Sequence, residues 1–295
     1  MTGFDWLFFA EITLAGLGSG ALLALTALAF VLIYKATRVV NLAIGEMLMV
    51  GAYLFFSFTA GWQVHWAVAI GLALAGGGVL GAVLERTIMR PMLGESPIST
   101  FMITIGLGSV LAGLVEIVWG ADPARLPEFM GNAPVFIGEA YVSRKIAIGF
   151  AAAALVIIAF VVAFRFWRGG VALRATASDQ GAAYSCGIDV PRVFSYAWIV
   201  AGMAAAGAGV LVGAVGGISP TMGIFGLSAL VVVIFGGLDS VAGALVGGLV
   251  VGLIEAWAGT YLGGEYKMVA TFGLLLSVLL VRPYGLFGTH EIERL

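Results

Sequence analysis

Apolar residues along this chain of 295 residues form long, continuous runs separated by short polar stretches. A run of about 20 apolar residues is long enough for one helix to cross the hydrocarbon layer of a membrane. Continuous rather than alternating hydrophobicity favours helices over the strands of a membrane barrel. Eight spans are predicted, at residues 12–34, 39–61, 64–84, 98–120, 146–164, 193–215, 241–257 and 266–281. A further run, 227–238, is too short to cross by itself, and we expect a half-length or re-entrant segment there.

The pattern predicts an all-α, polytopic membrane helix bundle that forms one transmembrane domain over residues 1–295. Composition agrees, since 61% of the residues are hydrophobic and 10% are charged, against about 25% charged in soluble domains. The hydrophobic composition makes membrane lipid the expected surrounding. A net charge of −2 gives no reason to expect a nucleic-acid partner. Cys186 is the only cysteine, which excludes an intrachain disulfide and makes a cysteine-based metal site unexpected. Asp5 and Glu11 flank the first run, whereas a signal peptide would carry basic residues there.

Glycine is the most unusual feature of the composition, with 44 residues. Small residues allow membrane helices to approach closely. Pairs at Gly-x-x-x-Gly spacing are Gly16/Gly20, Gly77/Gly81, Gly209/Gly213, Gly213/Gly217, Gly243/Gly247 and Gly248/Gly252. They predict a tight bundle, and a subunit interface at some of these pairs remains an open alternative.

One long polar stretch, residues 165–192, interrupts the apolar pattern near the middle of the chain. It carries four arginines and must be a loop in water, which the positive-inside tendency places in the cytoplasm. The N-terminus and loop 121–143 then lie outside, the latter with a small hairpin near 135–142. Residues 85–97 are predicted to form a loop on the inside. The basic residues expected inside are Lys35, Arg38, Arg86, Arg90, Arg165, Arg168, Arg174, Arg192, Arg282 and Arg294. Those expected outside are Arg125, Arg144, Lys145 and Lys267.

Within the polar stretch, residues 171–186 are predicted to form one short helix, with Gly187 as its stop and Pro191 unable to continue it. A surface of small residues would let another protein pack against this helix; its members are Ala172, Ala175, Ala182, Ala183 and Tyr184. We therefore expect a docking helix that receives motion from a cytoplasmic partner. An ordinary solvated connector is the alternative.

Polar residues inside the predicted spans are the candidates for a solute path, because a charge in hydrocarbon is costly. Asn41, Gly45 and Glu46 fall within the second span, where they suggest a broken or closely packed helix. The alternative is that Glu46 lies near the interface and pairs with Lys35 or Arg38.

Three further polar residues are candidates for the same path. Asp239 and Ser240 follow the short segment and indicate either a discontinuous helix that faces the path or an ordinary turn cap. Thr104 lies in the fourth span, where such residues more often bond to their own backbone.

The chain contains no G-x-x-x-x-G-K-[ST], H-E-x-x-H or G-x-S-x-G sequence. We therefore expect no enzymatic activity and no cofactor bound by this chain.

Several segments together resemble permease subunits of branched-chain amino-acid-type ABC importers, the LivH kind, over roughly residues 14–288. They are VVNLAIGEMLMVGAY (39–53), ERTIMRP (85–91), TIGLGSVLAG (104–113), CGIDVPRVFSYAW (186–198), GGLDSVAGALVGGLVVGLIEAW (236–257) and VRPYGLFG (281–288). The resemblance implies that Asn41, Gly45 and Glu46 are motif positions. It also implies that the 165–192 loop is the coupling loop that contacts an ATPase. The candidate coupling residues are Arg174, Asp179, Ala182, Ala183, Gly187, Ile188 and Pro191.

Such a subunit is expected in a bacterial-type inner membrane with a second related permease, two cytoplasmic ATPases that use ATP and Mg²⁺, and an external solute-binding protein. The resemblance implies transport of a branched-chain or other amino acid, although relatives move urea, amides and aromatic acids. A stand-alone channel or an ion-coupled carrier that uses Glu46 and Asp239 is the first alternative. A membrane scaffold without transport activity is the second.

Overall fold

The computed structural model describes residues 5–289, and the described chain is a bundle of helices with one small hairpin. The first helices are α1 (Trp6–Thr37), α2 (Ile44–Phe56), α3 (Trp66–Leu84) and α4 (Pro97–Trp119). The hairpin strands β1 (Pro134–Ile137) and β2 (Ala140–Ser143) follow. The remaining helices are α5 (Arg144–Phe166), α6 (Arg168–Ser178), α7 (Gln180–Ser185), α8 (Val190–Gly216), α9 (Phe225–Gly236), α10 (Val241–Tyr261) and α11 (Tyr266–Val281).

The predicted all-α membrane bundle is confirmed. Among the described residues, 7 helical segments are long and apolar enough to cross a membrane. The eighth predicted span forms α11 with the predicted bounds, and its 16 residues make it shorter than the other seven. The hairpin expected near 135–142 is present, with Pro134 opposite Ser143 and Ile137 opposite Ala140.

Two local predictions were wrong. Residues 171–186 form two helices rather than one, because Asp179 has an extended backbone (φ −159°, ψ 113°) that separates α6 from α7. Its carboxylate accepts a hydrogen bond from the backbone N–H of Ala182 at 2.9 Å, so this residue ends one helix and caps the next. Residues 85–97 are also not simply a loop, since α3 continues as a π-helical turn (Glu85–Met89) and a 3₁₀ turn (Arg90–Met92).

Contacts of α1 define the two ends of the bundle. Near its start, Glu11 accepts a hydrogen bond from the backbone of Tyr141 in the hairpin (3.2 Å), so we call this the hairpin end. Near its finish, Arg38 donates to the carbonyl of Ala177 in α6 (3.3 Å), so we call this the α6 end. Loops 121–143 and 165–192 therefore lie at opposite ends, as predicted.

The short segment before Asp239 connects these two ends. Ile218 pairs with Ala124 of the hairpin-end loop through two backbone hydrogen bonds (2.8 and 2.9 Å). Asp239 shares a cleft with Lys35 at the α6 end. A 3₁₀ helix, Pro220–Ile224, precedes the 12 residues of α9. Together they reach about 28 Å, close to the thickness of the hydrocarbon layer, so the segment is not re-entrant.

Glycines allow the helices of this chain to pack closely against one another. A methyl group at Gly20 in α1 would lie 2.7 Å from the carbonyl oxygen of Gly248 in α10. A methyl group at Gly77 in α3 would lie 2.5 Å from the Ala206 methyl in α8. These Gly-x-x-x-Gly faces are consequently occupied within one chain, and they are not available for an interface between subunits.

Candidate functional site

The second span begins inside the bundle rather than at its end. Residues 39–43 are not helical, and α2 starts only at Ile44. The Asn41 side chain is 1% exposed and accepts a hydrogen bond from the N–H of Ala43 (3.0 Å). The hydroxyl of Thr104, fully buried in α4, accepts from the N–H of Leu42 (3.2 Å) and donates to its own helix at Phe101 (2.8 Å). The side chains of Asn41 and Thr104 therefore satisfy backbone N–H groups of the non-helical segment 39–43.

The start of α2 meets the start of the 3₁₀–α9 segment at a contact between glycines. A methyl group at Gly45 would collide with the carbonyl oxygen of Gly223, and one at Gly226 would lie 2.6 Å from the α carbon of Gly45. Gly45 is closely packed, which was one of the two predicted alternatives, and the non-helical residues lie just before it, at 39–43. Two helix N-termini, each with a partial positive charge, converge at this point in the bundle.

Glu46 places a carboxylate in the same junction. Its carboxylate carbon would lie 3.2 Å from a methyl group at either Gly108 or Gly223, so both glycines make room for it. Gly108 is the midpoint of the helix Pro97–Trp119, which puts Glu46 deep between the two ends. Within residues 5–289 none of the ion pairs includes Glu46, so the predicted alternative, pairing with Lys35 or Arg38, is wrong.

Asp239 and Ser240 lie at the α6 end rather than in this junction. Ser240 accepts a hydrogen bond from the N–H of Gly243 (3.0 Å) and caps α10, as the turn-cap alternative predicted. Asp239 accepts from the backbone N–H of Thr289 (3.3 Å) and from its hydroxyl. The length of α9, about 18 Å, separates Asp239 from the Gly223–Glu46 junction.

The candidate coupling residues differ in where they point. The guanidinium of Arg174 donates to the carbonyls of Phe164 and Arg165 and lies over the Phe164 ring, so it closes the end of α5. Ala183 is 4% exposed and packs against the bundle, although a docking surface had been predicted there. Ala182 is exposed, and the neighbouring Tyr184 is 72% exposed.

The rest of the loop forms turns between helices. Asp179 is exposed and caps α7, and Gly187, with φ of +84°, ends that helix as predicted. Ile188 is partly buried, whereas Pro191 is exposed in the first turn of α8. The outward face of α7 is therefore open to contact with another protein.

A partly buried ionic cluster was not predicted from the sequence. The guanidinium of Arg90 donates to both carboxylate oxygens of Glu85 (2.9 and 3.0 Å) and to the hydroxyl of Ser195 (2.7 Å). That hydroxyl in turn donates to Glu85 (2.9 Å). We call these three residues the Glu85 cluster; it joins the π-helical turn after α3 to the first turns of α8. In the sequence, only the charged residues Glu85 and Arg90 of the segment ERTIMRP (85–91) could have indicated this cluster.

The C-terminal segment, residues 282–289, also has a role that the sequence did not reveal. Its backbone N–H groups at Leu286 and Phe287 donate to the carbonyls of Phe235 and Gly236, both at 2.9 Å. These carbonyls end α9 and have no partner within that helix. The segment therefore caps α9 at the α6 end.

Comparison with known proteins agrees with this geometry. A family model described as "Branched-chain amino acid transport system / permease component" matches residues 12–279. The LivH permease protein of the high-affinity branched-chain amino acid transport system of Escherichia coli (strain K12) is 32% identical over 98% of this chain and 99% of its own length. The BraD permease protein of the corresponding system of Pseudomonas aeruginosa is 29% identical over 95% of each chain.

A solved structure shows the same fold at lower similarity. One chain of the complex titled "PsaBC from Streptococcus pneumoniae in complex with Fab" aligns with a TM-score of 0.51, at 11% identity, over 95% of this chain and 94% of that chain. The apolar helices define a multi-pass membrane protein, and the family model places it in the permease class. More specifically, the chain belongs to the family of permease components of branched-chain amino acid transport systems.

Proposed function

We propose that this chain is the permease subunit of an ATP-driven importer for an amino acid or a similar small polar solute. It would form the path with a second, related permease and receive its solute from an external binding protein. Two separate ATPase subunits would bind ATP and Mg²⁺ and supply the motion. Family membership supports this assignment, and the printed names of the LivH and BraD relatives point to branched-chain amino acids.

The observation that carries the proposal is the Glu46 carboxylate at the junction of α2 with the Gly223 turn. A carboxylate with no basic partner among the described residues is costly in a membrane interior and needs a functional reason. The converging helix starts stabilise the Glu46 carboxylate, which lies in the first turn of α2. That carboxylate favours a cationic group on the solute. An amino acid carries an ammonium group, which makes it a better match than a neutral amide or urea.

Transport by the assembled complex tests the path. The chain is purified with its co-purifying subunits, reconstituted in liposomes, and supplied with binding protein, ATP and labelled leucine. We expect uptake to need ATP, and Glu46→Gln to lower its rate about tenfold, equivalent to about 1.4 kcal/mol of lost solute stabilisation. Glu116→Gln is the matched control because Glu116 is exposed near the end of α4.

The opposite outcome identifies the rival function. If the chain alone transports solute without ATP, an ion-coupled carrier is the better description. In that case Glu46 and Asp239 could not share one ion, because α9 separates them by about 18 Å.

Coupling to the ATPases is proposed for the exposed face of α7, which includes Ala182 and Tyr184. Tyr184→Ala should reduce the stimulation of ATP hydrolysis by solute-loaded binding protein while leaving the fold intact, because the side chain is 72% exposed. Phe272→Ala removes an exposed aromatic side chain (45% exposed) from the middle of α11, away from both ends of the bundle, and should have no effect. Equal stimulation in the Tyr184 and Phe272 variants would contradict the assignment.

We propose that the α6 end faces the cytoplasm of a bacterial-type inner membrane. The described basic residues at this end are Lys35, Arg38, Arg86, Arg90, Arg165, Arg168, Arg174, Arg192 and Arg282. Those towards the hairpin end are Arg125, Arg144, Lys145 and Lys267. Arg294, also expected inside, lies outside the described residues. The excess supports an external N-terminus by the positive-inside tendency.

A further inference from the structure

A cleft of about 440 Å³ opens on the side of the bundle between α5 and α8, at the α6 end. Its volume is within the range of about 300–1,000 Å³ that holds small ligands. Its walls are mainly apolar and include Phe160 from α5 and Val200 from α8, and Leu32 of α1 also lines it. Val200 is about 15 Å along α8 from its first residue, so the cleft extends from the membrane surface into the hydrocarbon region.

The outer mouth of this cleft has the chemistry of a lipid headgroup site. Trp167 and Tyr196 line it and contact each other edge to face (6.4 Å between ring centroids), and such residues favour the membrane interface. Arg168 lines it as well, is exposed, and has no acidic partner among the described residues. Arg192 is paired with Asp189 at 2.9 Å, so this pair adds no net charge.

The start of α6 adds to the positive potential at the mouth. Gly169 and Gly170 of its first turn line the cleft, and no side chain caps this helix at Trp167. The first N–H groups of a helix attract anions when no cap satisfies them. Charge and apolar surface together thus match a molecule with an anionic head and long hydrocarbon tails.

We propose that this cleft binds one anionic phospholipid, with its phosphate at Arg168 and an acyl chain between α5 and α8. A soluble partner is a poor match, because the apolar walls continue into the membrane, whereas an ATPase would reach the polar, exposed face of α7. Basic pockets between membrane helices on the cytoplasmic side are a known form of lipid recognition. This inference requires only that the bundle spans a membrane, and it does not depend on the solute.

Native mass spectrometry of the delipidated protein, purified with its co-purifying subunits, tests the site. Dioleoyl phosphatidylglycerol or dioleoyl phosphatidylcholine is titrated in, and the first binding constant is measured. We expect phosphatidylglycerol to bind more tightly, and Arg168→Gln to weaken its binding about fivefold, the factor expected for one basic residue near a membrane surface. Binding of phosphatidylcholine should change little. Arg86→Gln removes an exposed arginine outside the cleft and should leave both constants unchanged.

A second pair of variants tests the acyl-chain part of the cleft. Ala163→Trp places a large side chain in the cleft from α5 and should weaken the binding of both lipids. Ala151→Trp lies on the same helix outside the cleft and should leave the binding of both lipids unchanged. Equal affinity of the wild type for the two lipids would overturn the proposal. Equal losses in the Arg168 and Arg86 variants, or in the two tryptophan variants, would also overturn it. Loss of lipid binding when the ATPases are present, with recovery on their removal, would assign the cleft to protein contact instead.

Discussion

Removal of Arg90 should destabilise the protein mainly because it leaves the Glu85 carboxylate without its basic partner. Arg90 holds Glu85 through two hydrogen-bonded contacts of 2.9 and 3.0 Å, and the Glu85 side chain is 3% exposed. Arg90→Met keeps most of the apolar stem but removes the charge. The carboxylate then keeps only the hydroxyl of Ser195 as a partner.

The size of the loss follows from burial. Breaking a buried pair by removing one member costs about 3–5 kcal/mol, whereas replacing both members by apolar residues is often neutral. The Arg90 side chain is 36% exposed, so water compensates in part, and we take the lower limit of about 3 kcal/mol. Glu85→Met/Arg90→Met should therefore be more stable than Arg90→Met alone, with a coupling energy of about 2 kcal/mol.

Unfolding in mixed micelles of dodecyl maltoside and sodium dodecyl sulfate measures these differences. Loss of helical circular dichroism is followed in the wild type, both single variants and the double variant. If the double variant is no more stable than Arg90→Met, the loss does not come from the stranded carboxylate. The role that we assign to the Glu85 cluster in holding α3 to α8 would then be refuted.

Three further predictions give separate tests. Gly45→Ala should destabilise the protein by about 1–3 kcal/mol, because there is no space for the added methyl group. Gly71→Ala is the control and should be tolerated, because the space around Gly71 is open. Unfolding in the same mixed micelles measures both variants. Thr289→Val should cost about 0.5–1.5 kcal/mol by removing the hydroxyl donor from the exposed Asp239 contact, and no loss would show that this contact does not help to hold the C-terminal segment. Cys186 is exposed at the α6 end, so an impermeant thiol reagent should label it only after cells are permeabilised; labelling of intact cells would reverse the proposed orientation.

The sequence predicted the spans well because continuous hydrophobicity reports burial in lipid directly. It also indicated an interruption at the start of the second span, since Asn41 and Glu46 interrupt an otherwise apolar run, and residues 39–43 there are not helical. The crossing by the 227–238 segment was not predictable from its length. It depends on Pro220–Ile224, where a 3₁₀ helix supplies a larger rise per residue than an α-helix.

Tertiary contacts account for the site features that the sequence did not indicate. Thr104 was a candidate for the solute path, with a bond to its own helix as the commoner alternative; it makes that bond and also accepts from Leu42, 62 positions away. Ala183 was wrongly assigned to an outward surface. Residue spacing alone does not show which side of a short helix packs against the bundle. The coupling, substrate-path and cofactor assignments remain predictions, and the transport and ATP hydrolysis measurements above test the first two.

The close packing of α1 on α10 has a consequence for biosynthesis. Gly16 and Gly20 fit against Gly252 and Gly248, which the ribosome adds more than two hundred residues later. The first helix must therefore wait in the bilayer with this surface facing lipid or a chaperone until the tenth helix is inserted. Chains that stop before α10 leave that surface uncovered, and membrane quality-control proteases should recognise such incomplete products.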